Sequence, residues 1–207
     1  MAQPDVGEGA RLAAATGAWI CFEDESGQAL QPPKARTWGR RGHTPVVRVS
    51  GRGSGRISVA GLACLKAGQP ARFYYRMQGH RLRPGTRRAM SEADYAALIA
   101  AAHRYLGAPV IVIWDNLPTH LSNKMRAFTG GHPDWLTVIQ LPAYAPDLNP
   151  VEGAWSVMKN GLGNLAAGTT DQLAAAMRHQ LDRIQRRPGL ITGFLGQTGL
   201  TLDPQPP

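Results

Sequence analysis

The sequence feature that most constrains the fold is the run V-I-V-I-W-D at residues 110–115. Its five consecutive apolar residues are too few for a free-standing helix and suit a strand that is buried on both faces. The run ends in a carboxylate, Asp115. In open α/β sheets, the loops diverge at the carboxyl ends of the central strands and leave a crevice for ligands. We therefore predict a central strand whose last residue places an acid at such a crevice.

The flanking segments predict further strands and helices. Apolar or alternating runs indicate strands, and a capping residue followed by apolar residues at helical spacing indicates a helix. The predicted strands are 18–24, 44–50, 56–65, 72–77, 110–115 and 136–141, with 44–50 and 56–65 forming a hairpin across the loop G-R-G-S-G-R. The predicted helices are 91–106, 121–128, one that begins at Asn149 and Pro150, and 169–187. An antiparallel meander followed by parallel strands, with flanking helices, is the pattern of the ribonuclease H-like class of α/β fold.

The length of 207 residues suits one domain. We place this domain at 17–187, between an N-terminal tail or linker remnant at 1–16 and a C-terminal tail at 188–207. No stretch approaches the roughly 18 apolar residues that a membrane span needs. The N-terminus lacks the basic start and apolar core of a signal peptide. We expect a cytoplasmic protein with no membrane partner.

Positive charge is concentrated in one part of the chain. The net charge is +9, yet residues 31–90 hold 14 of the 23 Lys and Arg residues and no Asp or Glu. A block this one-sided indicates a surface for a polyanion, and its glycine-rich loop lets the backbone approach a phosphate chain closely. The alternative is a solvated basic face with no partner.

Three acids occupy positions that suit metal binding. Asp24 and Asp115 end strand-like runs, and Glu152 lies at the start of a predicted helix. Carboxylate oxygens suit Mg²⁺ and Mn²⁺, which keep waters that a substrate phosphate can replace. Two such ions about 4 Å apart can hold the attacking and leaving oxygens of a phosphoryl transfer. The pattern predicts metal-dependent chemistry on a phosphate chain.

Each acid also has a structural interpretation. Glu152 follows Asn149 by three residues and could complete a capping box. Asp115 could cap the turn that follows it, although an acid at the end of so apolar a strand is costly unless it is paired. Asp24 lies in the triplet E-D-E, and the sequence does not show which of the three acids faces inward. We expect substitution of Glu23 or Glu25 to matter less than substitution of Asp24. His120 is interpreted as a hydrogen-bonding loop histidine rather than a metal ligand.

Three blocks of the sequence resemble the catalytic blocks of DDE transposases. They are D-E-S-G at 24–27, D-N-L-P-T-H at 115–120 and Y-A-P-D-L-N-P-V-E-G-A-W-S-V-M-K at 144–159. The segment R-T-W-G-R-R-G-H-T-P at 36–45 also resembles the one that follows the first acid in these enzymes. The similarity spans about residues 17–187 and is to the bacterial insertion-sequence relatives of mariner elements, the insertion-sequence six-thirty group.

The resemblance implies that Asp24, Asp115 and Glu152 are the catalytic and metal-binding triad, which uses two Mg²⁺ ions or Mn²⁺ as a substitute. It implies a DDE transposase, a polynucleotidyl transferase that hydrolyses phosphodiester bonds at transposon ends and joins the freed 3′-hydroxyl to target DNA. The implied partner is double-stranded DNA, both transposon ends and target, at the nucleoid. The DNA-binding side chains are expected among Arg36, Trp38, Arg40, Arg41, Arg52, Arg56 and Lys159.

The sequence departs from the family in one respect. Full-length members begin with a helix-turn-helix region that recognises the element ends, and this chain has no room for one before Trp19. We expect cleavage chemistry without end recognition. A separate helix-turn-helix protein or upstream reading frame, and a homodimer, stay open as partners. Two other functions also stay open: a ribonuclease H-like nuclease or resolvase without strand transfer, and a decayed, non-catalytic DNA-binding protein.

Overall fold

A computed structural model describes residues 6–36, 38–43, 46, 55–81, 89–142 and 145–202. Within these ranges the chain forms one five-stranded sheet with helices on both of its faces. The strands are β1 (Trp19–Ala29), β2 (Gly55–Leu65), β3 (Arg72–Arg81), β4 (Val110–Trp114) and β5 (Leu136–Gln140). The helices are α1 (Val6–Thr16), α2 (Glu92–Leu106), α3 (Asn123–Gly130), α4 (Val151–Gly161), α5 (Thr170–Gln185) and α6 (Pro188–Gln197).

The sheet has the strand order β3-β2-β1-β4-β5. Strand β2 is antiparallel to both β1 and β3, whereas β4 is parallel to both β1 and β5. This topology confirms the predicted meander followed by parallel strands. Two hydrophobic cores result, one on each face of the sheet. Helices α1, α4, α5 and α6 cover one face, and α2 and α3 cover the other.

Local capping interactions set the helix boundaries. Ser91 and Asp94 form the predicted capping box at the start of α2, and Gly107, in the left-handed conformation with φ 62°, ends the helix. The start predicted for α3 is two residues early. The Ser122 hydroxyl accepts a hydrogen bond from the Met125 amide, which makes Ser122 the N-cap residue.

The predicted hairpin between 44–50 and 56–65 is wrong. Both hydrogen-bonding edges of β2 are occupied, one by β1 and the other by β3, over almost the whole strand. No edge is left for residues 44–50. Apart from Val46, which belongs to no strand, that segment lies outside the described residues. The strand predicted at 72–77 is confirmed as β3 and extends to Arg81.

Two helices lie where the sequence predicted tails. Helix α1 occupies most of 1–16 and buries Gly9 and Ala10. Helix α6 lies within 188–207 and buries Ile191, Phe194 and Leu195 against the core on the α4 face. The α6 sequence has three glycines and a low intrinsic helix propensity, so tertiary packing supplies most of its stability. In the part of the chain that is described, no helix is long and apolar enough to cross a membrane.

Candidate active site

The sheet register brings Asp24 and Asp115 to the same face. Phe22 of β1 lies beside Ile113 of β4, and the two strands run parallel. Both acids lie two residues further along their chains, so the alternation of side chains puts them on the face of Phe22 and Ile113. Of the three consecutive acids at 23–25, Asp24 is therefore the one that faces α4.

Glu152 joins these acids from the first turn of α4. A cleft of about 400 Å³ is lined by all three carboxylates, with Asn116, Leu117, Pro118, Leu141, Pro142, Ala145 and Asn149. Asn149 fixes the start of α4, since its Nδ2 donates to the Glu23 carbonyl at 2.9 Å and its Oδ1 accepts from the Val151 amide at 3.1 Å. The alternative of a capping box at Glu152 is wrong: α4 begins at Val151, its N-cap residue Pro150 makes no side-chain capping hydrogen bond, and Asn149 Oδ1 accepts from the Val151 amide and not from that of Glu152. Glu152 is left exposed at the cleft.

The ionisation of Asp24 is affected by two acidic side chains close to it. Burial, followed by the negative charges of Glu152 and Glu23, raises the pKa of Asp24 to about 7. The Trp155 indole opposes this shift by donating from Nε1 to Asp24 Oδ2 at 2.8 Å. Trp155 is a site residue that the sequence analysis did not single out, although it lies three residues after Glu152 in the most specific block. Uncompensated negative charge at the cleft favours a bound cation.

The Asp115 carboxyl lines the cleft and also accepts hydrogen bonds from the turn that follows β4. Its Oδ1 accepts hydrogen bonds from the Leu117 amide at 3.0 Å and from Nδ1 of His120 at 3.1 Å. Burial would raise the pKa of Asp115, but these hydrogen bonds and the charge of His120 lower it overall. His120 is hydrogen-bonded as predicted, and it is buried. Burial alone would lower its pKa, but contacts with Asp115 and Glu23 raise it to about 10.

The donor chemistry of the cleft suits Mg²⁺ or Mn²⁺. All three side chains offer carboxylate oxygens, the ligands that these hard cations prefer. The carboxylates line one cleft without converging on a point. Across the described residues, no three His, Cys, Asp or Glu side chains are close enough together to hold a metal ion.

Gly61 of β2 makes room for the ring that contacts Asp24. It lies directly opposite Asp24 across the β1–β2 ladder. A Cβ at this position would lie 2.6 Å from Trp155 Cη2 and 3.0 Å from Phe73 Cζ. Both rings are rigid and packed in the core, so the added atom would force them to shift. We therefore expect Gly61→Ala to destabilise the fold by about 1–3 kcal/mol in urea unfolding and to weaken the Trp155–Asp24 hydrogen bond.

Gly79→Ala is the matched control for this prediction. Gly79 lies in the neighbouring strand β3, where, of the described residues, an added Cβ would meet Ile57 Cδ1 alone, at 3.9 Å. Equal destabilisation by the two substitutions would mean that strand propensity, rather than the space required by Trp155, explains the loss.

The predicted DNA-binding residues lie in three places. Arg36, Trp38, Arg40 and Arg41 are exposed in a segment without regular structure, and Trp38 is 100% exposed. Arg56 lies at the start of β2, with its guanidinium against Gly27 of β1. Lys159 is half-buried on α4, two helical turns beyond Glu152 and so on the same side of that helix. Arg52 lies outside the described residues.

Asn164 anchors the start of the exposed basic segment. Its Oδ1 accepts from the Ala35 amide at 3.2 Å, and its Nδ2 donates to the Ala35 carbonyl at 2.8 Å. The Asn164 amide also donates to the Pro33 carbonyl at 3.1 Å. Asn164 has φ 58°, a conformation that Asn tolerates better than most residues. The contacts fix residues 33–35 beside the carboxyl-terminal end of α4, the helix that carries Glu152.

Comparison with solved structures shows the fold. The mariner Mos1 paired-end complex with Mg matches with a TM-score of 0.58 and 18% identity, over 87% of this chain and 53% of that chain. The Mos1 paired-end complex with the left transposon end matches with a TM-score of 0.52 and 18% identity, over 89% of this chain and 56% of that chain. The chain thus spans little more than half of these two Mos1 chains, and it shares their ribonuclease H-like fold.

Sequence comparisons agree with this fold. An uncharacterised protein of Sinorhizobium fredii, y4pE/y4sA, is 37% identical over 59 residues, which are 28% of this chain and 40% of that protein. The family model described as DDE superfamily endonuclease matches residues 19–174, three quarters of the chain. That range includes all three acids of the cleft and the helix α4 that presents Glu152. The chain therefore belongs to the DDE superfamily of endonucleases.

Proposed function

We propose that this chain is the catalytic domain of a DNA transposase. It hydrolyses phosphodiester bonds at the ends of a mobile element and joins the freed 3′-hydroxyl to target DNA, in the cytoplasm at the nucleoid. The observation that carries the proposal is the shared cleft of Asp24, Asp115 and Glu152, in a chain of the DDE endonuclease family. Two of the solved Mos1 complexes that match this fold are described as paired-end complexes, one with Mg and one with the left transposon end.

Each acid has a distinct structural role in the proposed reaction. Asp24 and Asp115 are presented by adjacent parallel strands of a rigid sheet, and Glu152 is presented by α4. Together they would hold Mg²⁺, or Mn²⁺ as a substitute, in one or two sites. When bound, such ions stabilise the charge on the attacking and leaving oxygens of a phosphoryl transfer. The chain itself contributes the fixed geometry, since the Trp155 indole orients Asp24 and the Leu117 amide orients Asp115.

The test of this function is a strand-transfer assay. A labelled duplex with a free 3′-hydroxyl end is incubated with supercoiled plasmid, the protein and Mn²⁺. The proposal predicts labelled plasmid joined to the duplex, in addition to nicked plasmid. Nicking without joining would indicate a nuclease or resolvase instead. Binding without either product would indicate a non-catalytic DNA-binding protein.

We propose that the basic segment 36–43 binds the DNA backbone. Its Arg side chains are exposed, and the fully exposed Trp38 offers a ring for contact with sugars or bases. Each phosphate contact that is lost should reduce the slope of log affinity against log salt by about 0.9. We expect the double substitution Arg40→Ala and Arg41→Ala to reduce the magnitude of the slope by about 1.8. The measurement is fluorescence anisotropy of labelled DNA at salt concentrations from about 50 to about 300 mM.

Arg186→Ala with Arg187→Ala is the matched control. This pair is also exposed and removes the same charge, but it lies between α5 and α6. The control should change the slope by less than the Arg40 and Arg41 pair. An equal change would show that affinity follows net charge and not the basic segment.

A further inference from the structure

A buried ion pair lies directly behind Asp115. Nε2 of His120 is 3.0 Å from Oε2 of Glu23, and neither side chain has any exposed surface. On the other side of the ring, Nδ1 lies 3.1 Å from Asp115 Oδ1 and 3.2 Å from the Asp115 carbonyl oxygen. Three residues from two adjacent strands and the turn after β4 are thereby linked in the order Glu23, His120, Asp115.

Both ring nitrogens of His120 face oxygen atoms. Nδ1 faces two oxygen acceptors of Asp115, and Nε2 faces a carboxylate oxygen of Glu23. The Nε2–Glu23 contact is within ion-pair distance, but neither atom makes a hydrogen bond to a described residue. The ring therefore lies between two carboxyl groups, with its hydrogen bonds directed to Asp115.

Aromatic packing fixes the plane of the ring. The imidazole stacks on Trp114, with ring centroids 4.5 Å apart and planes inclined by 8°. Tyr95 packs edge-on against it, with centroids 4.8 Å apart. His120 therefore has one orientation available, and its hydrogen bond to Asp115 has a fixed direction.

Stability alone does not explain a buried ion pair. Taking two charges out of water is costly, and apolar residues of similar volume are often as stabilising or more so. By contrast, hydrogen bonds from outside the metal shell orient ligating side chains, and their loss typically weakens metal binding about 10–100-fold. Asp115 is the only carboxylate of the cleft that the pair contacts within the described chain.

We propose that Glu23 and His120 are positioning residues that fix the Asp115 carboxylate for metal binding. Glu23 orients the His120 ring through its contact with Nε2, and Nδ1 of that ring holds Asp115 Oδ1 together with the Leu117 amide. The inference rests on the proposed function, because it takes Asp115 as a metal ligand. It gives Glu23 a role beside the expectation that its substitution matters less than that of Asp24: Glu23 faces away from Asp24 on β1 and would act on the cleft through His120.

The test separates positioning from stability. Removing one partner would leave a buried charge without its counter-ion and would destabilise the fold. The main variant therefore replaces both residues, as Glu23→Leu with His120→Phe. This variant keeps an aromatic ring on Trp114 and should remain folded, with a melting temperature near that of the wild type. We expect its Mn²⁺ affinity, measured by electron paramagnetic resonance without DNA, to fall about 10–100-fold. A folded double variant with wild-type Mn²⁺ affinity would overturn the inference.

Glu25→Gln is the matched control on the same strand face. Glu25 accepts a hydrogen bond from the Tyr95 hydroxyl at 2.6 Å and makes no contact with His120 among the described residues. Its substitution should leave Mn²⁺ affinity within about twofold, well below the loss that outer-shell changes cause. A loss equal to that of the double variant would assign the effect to general disturbance of β1 and contradict the inference.

A metal-free readout keeps the inference distinct from the proposed function. The ¹³C resonance of the Asp115 carboxyl should shift in the double variant and stay unchanged in Glu25→Gln. If the wild type binds no Mn²⁺ while this shift is present, the proposed function fails and the positioning of Asp115 by Glu23 and His120 stands. An unshifted Asp115 resonance in the folded double variant would overturn the positioning itself.

Discussion

Asp115→Asn and Glu152→Gln should each lower the rate of metal-dependent DNA cleavage by about a thousandfold or more. Each substitution keeps the shape of the side chain and removes one anionic oxygen ligand from the cleft. Loss of several kcal/mol of charge stabilisation in the transition state, at about 1.36 kcal/mol per decade, corresponds to that factor. The measurement is the initial rate of plasmid nicking in Mg²⁺ and in Mn²⁺, at protein concentrations that saturate the DNA.

The stability of these variants separates catalysis from folding. Glu152 is exposed and caps nothing, so Glu152→Gln should leave the melting temperature unchanged. Asp134→Asn, an exposed acid in the turn before β5, is the control and should keep wild-type nicking. If Glu152→Gln retains full activity and loses stability, Glu152 is a structural residue of α4 and the proposed triad is wrong.

Asp24→Asn should stabilise the metal-free protein at pH 8 and have little effect at pH 4. The pKa of Asp24 is raised from 3.8 to about 7 in the folded state, so the folded state binds the proton more tightly than the unfolded state. The wild type therefore loses stability as the pH rises from about 4 through about 7. At about 1.36 kcal/mol per pKa unit, the loss approaches 4 kcal/mol, and partial solvent exposure reduces it.

The measurement is the free energy of unfolding in urea against pH, in the presence of a chelator. The difference between Asp24→Asn and the wild type should grow between pH 4 and pH 8. Addition of Mg²⁺ at pH 8 should stabilise the wild type and not Asp24→Asn. A difference that stays constant with pH would mean that Asp24 ionises normally and that the acids of the cleft are not crowded.

The sequence was informative wherever a local pattern determines the structure. The run 110–115 forms β4, and the capping box of Ser91 and Asp94 opens α2, because both depend on residues close together in the chain. Asp115 and Glu152 could be placed after a strand and at a helix start for the same reason, but the strand predicted to end at Asp24 continues to Ala29, so Asp24 lies in the middle of β1. Residues far apart in sequence then met in one cleft because the ribonuclease H-like topology brings the middle of β1 and the end of β4 to the start of α4.

The contacts that could not be predicted depend on register between distant segments. Within E-D-E at 23–25, only the pairing of β1 with β4 determines that Asp24 faces α4 and that Glu23 meets His120 on the opposite face. The alternation of side chains along β1 predicts that Glu23 and Asp24 lie on opposite faces of the sheet, but it does not show which face carries the cleft. The anchoring of residues 33–35 by Asn164 likewise joins positions about 130 residues apart, with no local signal.

Helix α6 shows a second limit of the sequence. The segment P-G-L-I-T-G-F-L-G-Q has three glycines in ten residues and therefore a low intrinsic helix propensity. The Phe194 ring packs against Gly153 of α4 and thereby sets the position of α6. A Cβ atom at Gly153 would lie only 2.5 Å from this ring. Packing of a small residue against an aromatic ring is visible only once both helices are placed.

The most direct measurement of the central claim is the position of Mn²⁺ in crystals of this chain, located by anomalous scattering. The proposal predicts at least one strong anomalous peak in the cleft, bound by carboxylate oxygens of Asp24, Asp115 and Glu152 at about 2.0–2.2 Å, close to the distances of Mg²⁺ ligands. The peak should be lost or displaced in Asp115→Asn. A cleft without Mn²⁺ at saturating concentration, or a peak bound by other side chains, would contradict the assignment of these three acids as the metal-binding triad.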